Sequence, residues 1–212
     1  LLLTVGWSRD GRDSFTYPRS GVYQRLYGET TVPVGDLRYG KLGYQYQHWF
    51  PIGSDYALML NADVGYAKGF GGKEVPFYKN YYVGGIGSVR GFDQGSVGPK
   101  YMDEDGDITS TGGTRKAVAN AEFFFPMPGA GKDRSFRISA FFDAGYVWGE
   151  EQSPLAKNAN FVEQDVRFSD LRYSTGLAFS WSSPIGPLKF SFGHPLKKEE
   201  NDEIQRFQFQ LG

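Results

Sequence analysis

The densest cluster of possible ligand groups in this sequence is Asp103-Glu104-Asp105-Gly106-Asp107. A calcium loop of the EF-hand type needs its glycine at the sixth position and a bidentate glutamate at the twelfth. Here the glycine comes too early and no glutamate follows at that distance, so the run reads as the acidic tip of a loop. His48 and His194 are the only histidines. Each lies near the end of a candidate strand without metal-ligand spacing, so both read as interfacial polar residues. The run Gly84-Gly85-Ile86-Gly87 lacks the last glycine of a dinucleotide fingerprint and has no strand-to-helix context. Cysteine is absent, which removes disulfides, thiolate metal sites and thiol nucleophiles together. A formal net charge of −1 gives no basic footprint for nucleic acid. No nucleophile–base–acid arrangement is evident along the chain. The expectation is a protein that is not an enzyme, with no metal, no cofactor and no nucleic-acid partner.

The elements that would position any site follow a period of two. Tyr56, Leu58, Leu60, Ala62, Val64 and Tyr66 alternate with Ala57, Met59, Asn61, Asp63 and Gly65. The first set is apolar with a tyrosine at each end; the second is small or polar. This is the pattern of a lipid-facing band with an aromatic girdle at each interface, opposite a wet interior. Leu1, Leu3, Val5 and Trp7 repeat it, as do Ile138, Ala140, Phe142, Ala144, Tyr146 and Trp148, then Tyr173 to Trp181, Leu188 to Phe192, and Phe207, Phe209 and Leu211. Aromatic residues make up 17% of the chain and glycine supplies 29 positions, which suits strands and turns better than helices. Mean hydropathy is only −0.46, and no apolar run approaches the roughly 18–20 residues of a membrane helix. Leu1-Leu2-Leu3-Thr4 lacks the basic region and cleavage site of a signal peptide. None of this argues for a soluble protein, because a barrel strand averages lipid-facing and water-facing residues to a hydrophilic value.

The alternation predicts about nine strands, near 1–9, 20–32, 37–49, 56–67, 115–125, 135–148, 169–182, 187–195 and 204–212. The strand at 20–32 is the least regular, since Tyr23, Arg25, Tyr27 and Glu29 load its inner face with large side chains. Three connections are short and rich in proline and glycine: Phe50-Pro51-Ile52-Gly53, Pro126-Met127-Pro128-Gly129 and Ser183-Pro184-Ile185-Gly186-Pro187. The longest, 68–114 and 149–168, fall on the opposite end of the meander. Outer-membrane barrels have this asymmetry, whereas a soluble sandwich gives loop length no reason to follow loop parity. The expected fold is therefore all-β, an antiparallel up-and-down transmembrane β-barrel. An odd strand count would leave open edges in lipid, which exposes unpaired backbone groups. The expectation is a fragment whose missing N-terminal part supplies further strands.

The connection at 68–114 is too long for a passive hairpin. It reads Gly71-Gly72-Lys73-Glu74-Val75-Pro76-Phe77-Tyr78-Lys79-Asn80-Tyr81-Tyr82-Val83-Gly84-Gly85, then Ser88-Val89-Arg90-Gly91-Phe92, then Gly98-Pro99-Lys100. This run closely resembles the long loop of BamA-type outer-membrane assembly factors, and the Val-Arg-Gly-Phe tetrad is shared by the wider assembly and translocator superfamily. The similarity continues through Phe142-Asp143-Ala144-Gly145-Tyr146-Val147-Trp148, Ser183 to Leu188, and Phe207-Gln208-Phe209-Gln210-Leu211-Gly212. It covers essentially the whole chain and implies a single unit, 1–212, forming the C-terminal half of a sixteen-stranded barrel.

The resemblance implies that the loop folds into the lumen, where its arginine meets acids on the inner wall. The matching positions are Val89, Arg90, Gly91 and Phe92 for the loop latch, and Glu122 and Asp143 for the wall. Strand parity agrees, since Glu122 opposes Ala121 and Phe123, and Asp143 opposes Phe142 and Ala144. The resemblance also implies a gate strand carrying Phe207, Phe209, Leu211 and Gly212, and a few further residues ending in an aromatic. The implied location is the outer membrane of a Gram-negative bacterium. The implied role is folding and inserting nascent outer-membrane proteins, with outer-membrane lipids, accessory lipoproteins and N-terminal POTRA domains as partners. A two-partner-secretion translocator of the same superfamily is the alternative; the Gly-Gly-Lys-Glu-Val-Pro-Phe-Tyr lead-in favours the insertase.

Overall fold

The computed structural model describes residues 1–32, 37–102, 106–129, 135–149, 160–163 (backbone alone), 170–183 and 186–211. Asp103 to Asp105 of the acidic run, most of the 149–168 connection, Pro184, Ile185 and Gly212 lie outside the described residues. Strands are numbered in chain order. The wall consists of β1 (Leu2–Asp10), β2 (Gly21–Thr31), β3 (Tyr39–Ile52), β4 (Tyr56–Gly69), β8 (Arg115–Pro126), β9 (Phe136–Trp148), β11 (Arg172–Ser183), β12 (Gly186–Lys197) and β14 (Phe207–Leu211). Five short strands lie off it: β5 (Gly91–Phe92), β6 (Lys100–Met102), β7 (Ile108–Ser110), β10 (Asn160–Glu163) and β13 (Ile204–Gln205).

The nine wall strands form one sheet in the order β1-β2-β3-β4-β8-β9-β11-β12-β14, and each neighbouring pair is antiparallel. β1 and β14 are its two edges, so the barrel is not closed within this chain. One face carries the predicted apolar band. Leu3, Val5, Leu42, Leu60, Val64, Phe123, Phe142, Leu177, Phe192, Phe207, Phe209 and Leu211 are all exposed, with Val64 at 47% and Leu177 at 57%. A soluble sandwich would bury these side chains against a second sheet. Here no second sheet covers them among the described residues; they touch only neighbours on their own face, as Phe142 does Tyr173, and face outward as a lipid-contacting surface does. Of the three short connections, the β3–β4 turn is described throughout: Gly53 takes φ +64° there, a left-handed conformation that side chains rarely adopt.

The opposite face departs from the expected wet interior. The largest hydrophobic cluster lies there, between the wall and the 68–114 connection, and joins Tyr39, Ala67, Val75, Tyr81, Val83, Val89, Phe92, Val97, Val118, Tyr146 and Val147. Much of that face is therefore dry. Tyr146, expected to point outward, is only 2% exposed and belongs to this cluster. Its register with β8 is unbroken, opposite Ala117, but β11 begins only at Arg172 opposite Gly145, and the end of β9 is covered by the loop cluster and by Arg172, whose guanidinium lies 5.3 Å from the Tyr146 ring. The heavy inner face of β2 is also accommodated. Tyr27 lies over Gly43 on β3, where a Cβ would collide with its ring. Glu29 accepts a hydrogen bond from Tyr39 Oη at 3.0 Å and pairs with Lys79 at 3.1 Å.

Two further features were not anticipated. The predicted strand 204–212 is broken, because Ile204 and Gln205 pair with Phe92 and Gly91 of the loop rather than continuing along β12. And the β1–β2 connection, 11–20, whose length the predicted strand ends already implied, is bonded into the structure. It runs beneath the polar face, where Tyr17 Oη donates to Ser135 O at 2.6 Å, Arg137 Nη1 donates to Pro18 O at 3.0 Å, and Arg19 Nη2 donates to Gly53 O at 3.0 Å.

Candidate functional site

Each residue of the tetrad has its own seat. Val83 and Val97 form a bridge, and Gly85 N donates to Phe92 O at 3.1 Å, so 83–97 folds back on itself and presents the tetrad to the wall. Val89 is fully buried against Gly145, a wall position without a side chain; a Cβ there would lie 2.8 Å from Val89 Cγ2. Phe92 is fully buried in the cluster beside it. Gly91 has φ +90° and lies directly on the backbone of Gly193 in β12. A side chain at either glycine would force the two chains apart.

Arg90 sits between these anchors. Its Nε donates to Asp143 Oδ2 at 2.7 Å and its Nη2 to Asp143 Oδ1 at 2.9 Å, a two-point fork. Nη1 donates to Glu122 Oε2 at 3.0 Å, and the backbone N–H of Arg90 also reaches Asp143 Oδ2 at 3.1 Å. The guanidinium carbon lies 3.6 Å from the centre of the Phe141 ring. Gly176 on β11 leaves room for that ring. The side chain of Asp143 is fully buried, and those of Arg90 and Glu122 are nearly so. In such surroundings a planar, permanently charged fork is the group that satisfies two carboxylates at once.

The acids are held in turn. Asn120 Nδ2 donates to Asp143 Oδ1 at 2.8 Å and to Ser88 O at 2.6 Å. Asn61 Nδ2 donates to Asn120 Oδ1 at 2.9 Å, and Gln45 Nε2 to Asn61 Oδ1 at 2.9 Å. Ser139 Oγ donates to Glu122 Oε1. A side-chain ladder thus runs across β3, β4, β8 and β9 to the arginine. Sequence reasoning placed Asn61 on the polar face but assigned neither it nor Gln45, Asn120, Ser139 or Phe141 a role. Their parity was a legible signal; their alignment across strands depended on register.

Phe207, Phe209 and Leu211 are exposed on the outward face of β14, while Gln208 between them is buried on the loop side. Gln208 Nε2 donates to Phe92 O at 2.7 Å, and Gly91 N reaches Gln208 Oε1 at 3.4 Å. The loop tetrad and the last strand, two separate groups in the sequence reading, are therefore in direct contact.

A wall with an outward apolar band, bonded on its other face to a long loop through a buried arginine, defines the class: part of an outer-membrane β-barrel. Residues 1–212 match the Omp85 superfamily domain, and the chain belongs to that superfamily. It is 44% identical to outer membrane protein assembly factor BamA of Neisseria meningitidis, over 99% of this chain and 28% of that protein. It is 29% identical to BamA of Nitratidesulfovibrio vulgaris, over 98% of this chain and 25% of that one. Among solved structures it is similar to BamA from Haemophilus ducreyi lacking POTRA domains 1–3. That match has a TM-score of 0.86 and 34% identity, and covers 98% of this chain and 41% of that one. The chain thus spans about a quarter of the length of these curated relatives.

Proposed function

We propose that this chain is the C-terminal barrel portion, 1–212, of a BamA-type assembly factor, and that the whole protein folds and inserts nascent outer-membrane proteins. The observation that carries the reading is the Arg90 fork on Asp143 and Glu122, set in a loop that also touches the last strand. Similarity to proteins named as assembly factors supports it. In the closed barrel the 68–114 connection would occupy the lumen and brace the wall from inside. The last strand would then offer its backbone to an incoming strand, which is β-augmentation. Each unpaired backbone group in hydrocarbon costs several kcal/mol, so a weakly paired seam exchanges one strand for another rather than standing open. This role needs no covalent step and no cofactor. Its partners would be nascent outer-membrane proteins, outer-membrane lipids, accessory lipoproteins and N-terminal POTRA domains.

The test is reconstitution of the full-length protein in lipid vesicles with an unfolded barrel client. Protease-protected, heat-modifiable client should accumulate with the wild type and fall sharply with Arg90→Ala. Export of a soluble partner into the vesicle with no client insertion would instead support the translocator reading.

A further inference from the structure

A second buried ion cluster lies well away from the Arg90 fork. Asp202, in the connection between β12 and β13, has no exposed side-chain surface. Its Oδ1 receives Lys100 Nζ at 2.7 Å, and its Oδ2 receives Arg172 Nε at 2.6 Å. Lys100 belongs to the long loop and Arg172 to the first residue of β11. Both cations are as buried as the acid, Lys100 at 1% and Arg172 at 0%. Arg172 also donates to Asp170 O at 2.6 Å and lies 5.3 Å from the centre of the Tyr146 ring. Glu199 closes the turn: its backbone N–H donates to Asp202 Oδ2 at 2.8 Å, and the Asp202 N–H returns to Glu199 O at 3.2 Å.

What this cluster holds is the run-in to the last strand. Immediately after it, Asp93 N donates to Glu203 O at 2.9 Å, and Ile204 and Gln205 pair with Phe92 and Gly91. Only from Arg206, whose carbonyl accepts from Gly193 N at 2.7 Å, does the chain rejoin β12. The last strand is therefore in two parts. Residues 198–205 are fastened to the loop through backbone pairing and buried charges, whereas 207–211 pair their backbone with β12, touch the loop only through the Gln208 side chain, and have no strand on their other edge among the described residues.

We propose that Lys100, Asp202 and Arg172 are positioning residues that clamp the run-in of the last strand to the long loop, separately from the Arg90 latch. The clamp holds one end of the seam in place while 207–211 exchange partners. This rests on the insertase reading for its purpose, but not for its physics. Three charges buried together satisfy one another only while the geometry stands; losing one strands the others in a dry site. The loop thereby sets where a client strand begins to pair.

The experiment is hydrogen exchange on the full-length protein in lipid nanodiscs, with client insertion measured in parallel. Asp202→Asn should speed exchange at Ile204, Gln205 and 207–211 by at least about tenfold, while β8 and β9 keep their protection. Lys100→Met leaves Arg172 on Asp202, so it should give a smaller acceleration confined to the same segment; it serves if Asp202→Asn fails to fold. Unchanged exchange at 204–211 in the folded variants overturns the clamp. So does acceleration spread evenly over the wall, which would mark a merely structural cluster. A localised response in a protein whose wild type inserts no client keeps the clamp and removes the insertase reading; insertion without that response does the reverse.

Discussion

Arg90 reaches its partners as a fork, a third hydrogen bond and a stacked plane at once, and no other side chain can do all three. Arg90→Ala leaves the fully buried Asp143 without its fork and Glu122 without its bonded cation. A loss of about 3–5 kcal/mol follows from breaking such a buried set, read as a lower heat-modification midpoint on gels; an unchanged midpoint would remove the latch. Arg90→Lys should recover only part of it, because an ammonium cannot fork over Asp143 and stack on Phe141 together. Asp202 gives a pH prediction of definite sign. Burial alone would raise its pKa, but hydrogen bonds from Arg172 and Lys100 outweigh that and hold it below the ordinary carboxylate value. A lowered native pKa means stability present above the unfolded value, near pH 4, and lost as pH falls through the native one. Exchange at 204–206 should therefore quicken below about pH 4 in the wild type. Lys100, Arg172 and the nearby Glu199, 3.9 Å from Arg172, are the charged groups facing it.

Elements meet here through missing side chains. Gly91 packs on Gly193 and Val89 on Gly145, so the loop comes close to β12 and β9, while Gly176 on β11 makes room for Phe141, the β9 ring beneath Arg90. Gly193→Ala would put a Cβ 2.6 Å from Gly91 N and 2.7 Å from its Cα. Neither contact is with a flexible side-chain end, so the loop has to lift. Overpacking of this kind costs about 1–3 kcal/mol and should expose the Gly91 and Ile204 amides to exchange. Normal protection at both in Gly193→Ala would show that the contact is not needed. The 11–20 connection acts at the other end, tying β1 and β2 to the start of β9 through Tyr17 and Arg137.

At the scale of the molecule, the two faces of one sheet are in different solvents. Among the described residues nothing lies over the outward band, and much of the polar face is covered by the loop rather than by a second sheet. Leu60→Arg, in the middle of the band, should cost about 2–4 kcal/mol in lipid, measured by denaturant titration in vesicles. A cost no larger in lipid than in detergent would mean that this face does not meet hydrocarbon.

The period of two, read along the chain, was enough to assign eight wall strands nearly to their ends, the outward band and the inward parity of Glu122 and Asp143. Alternation is a local property, carried by each residue's neighbours two places away, so it survives without tertiary information. The break in the last strand, the inward burial of Tyr146 and the ladder from Gln45 to Asn120 were not legible. Nor was the Lys100–Asp202–Arg172 cluster, whose members stand 102 and 30 residues apart. Those depend on strand register and on where a long loop comes to rest. Only the folded chain decides them, because a buried charge chooses its partner by position in space and not by distance along the sequence.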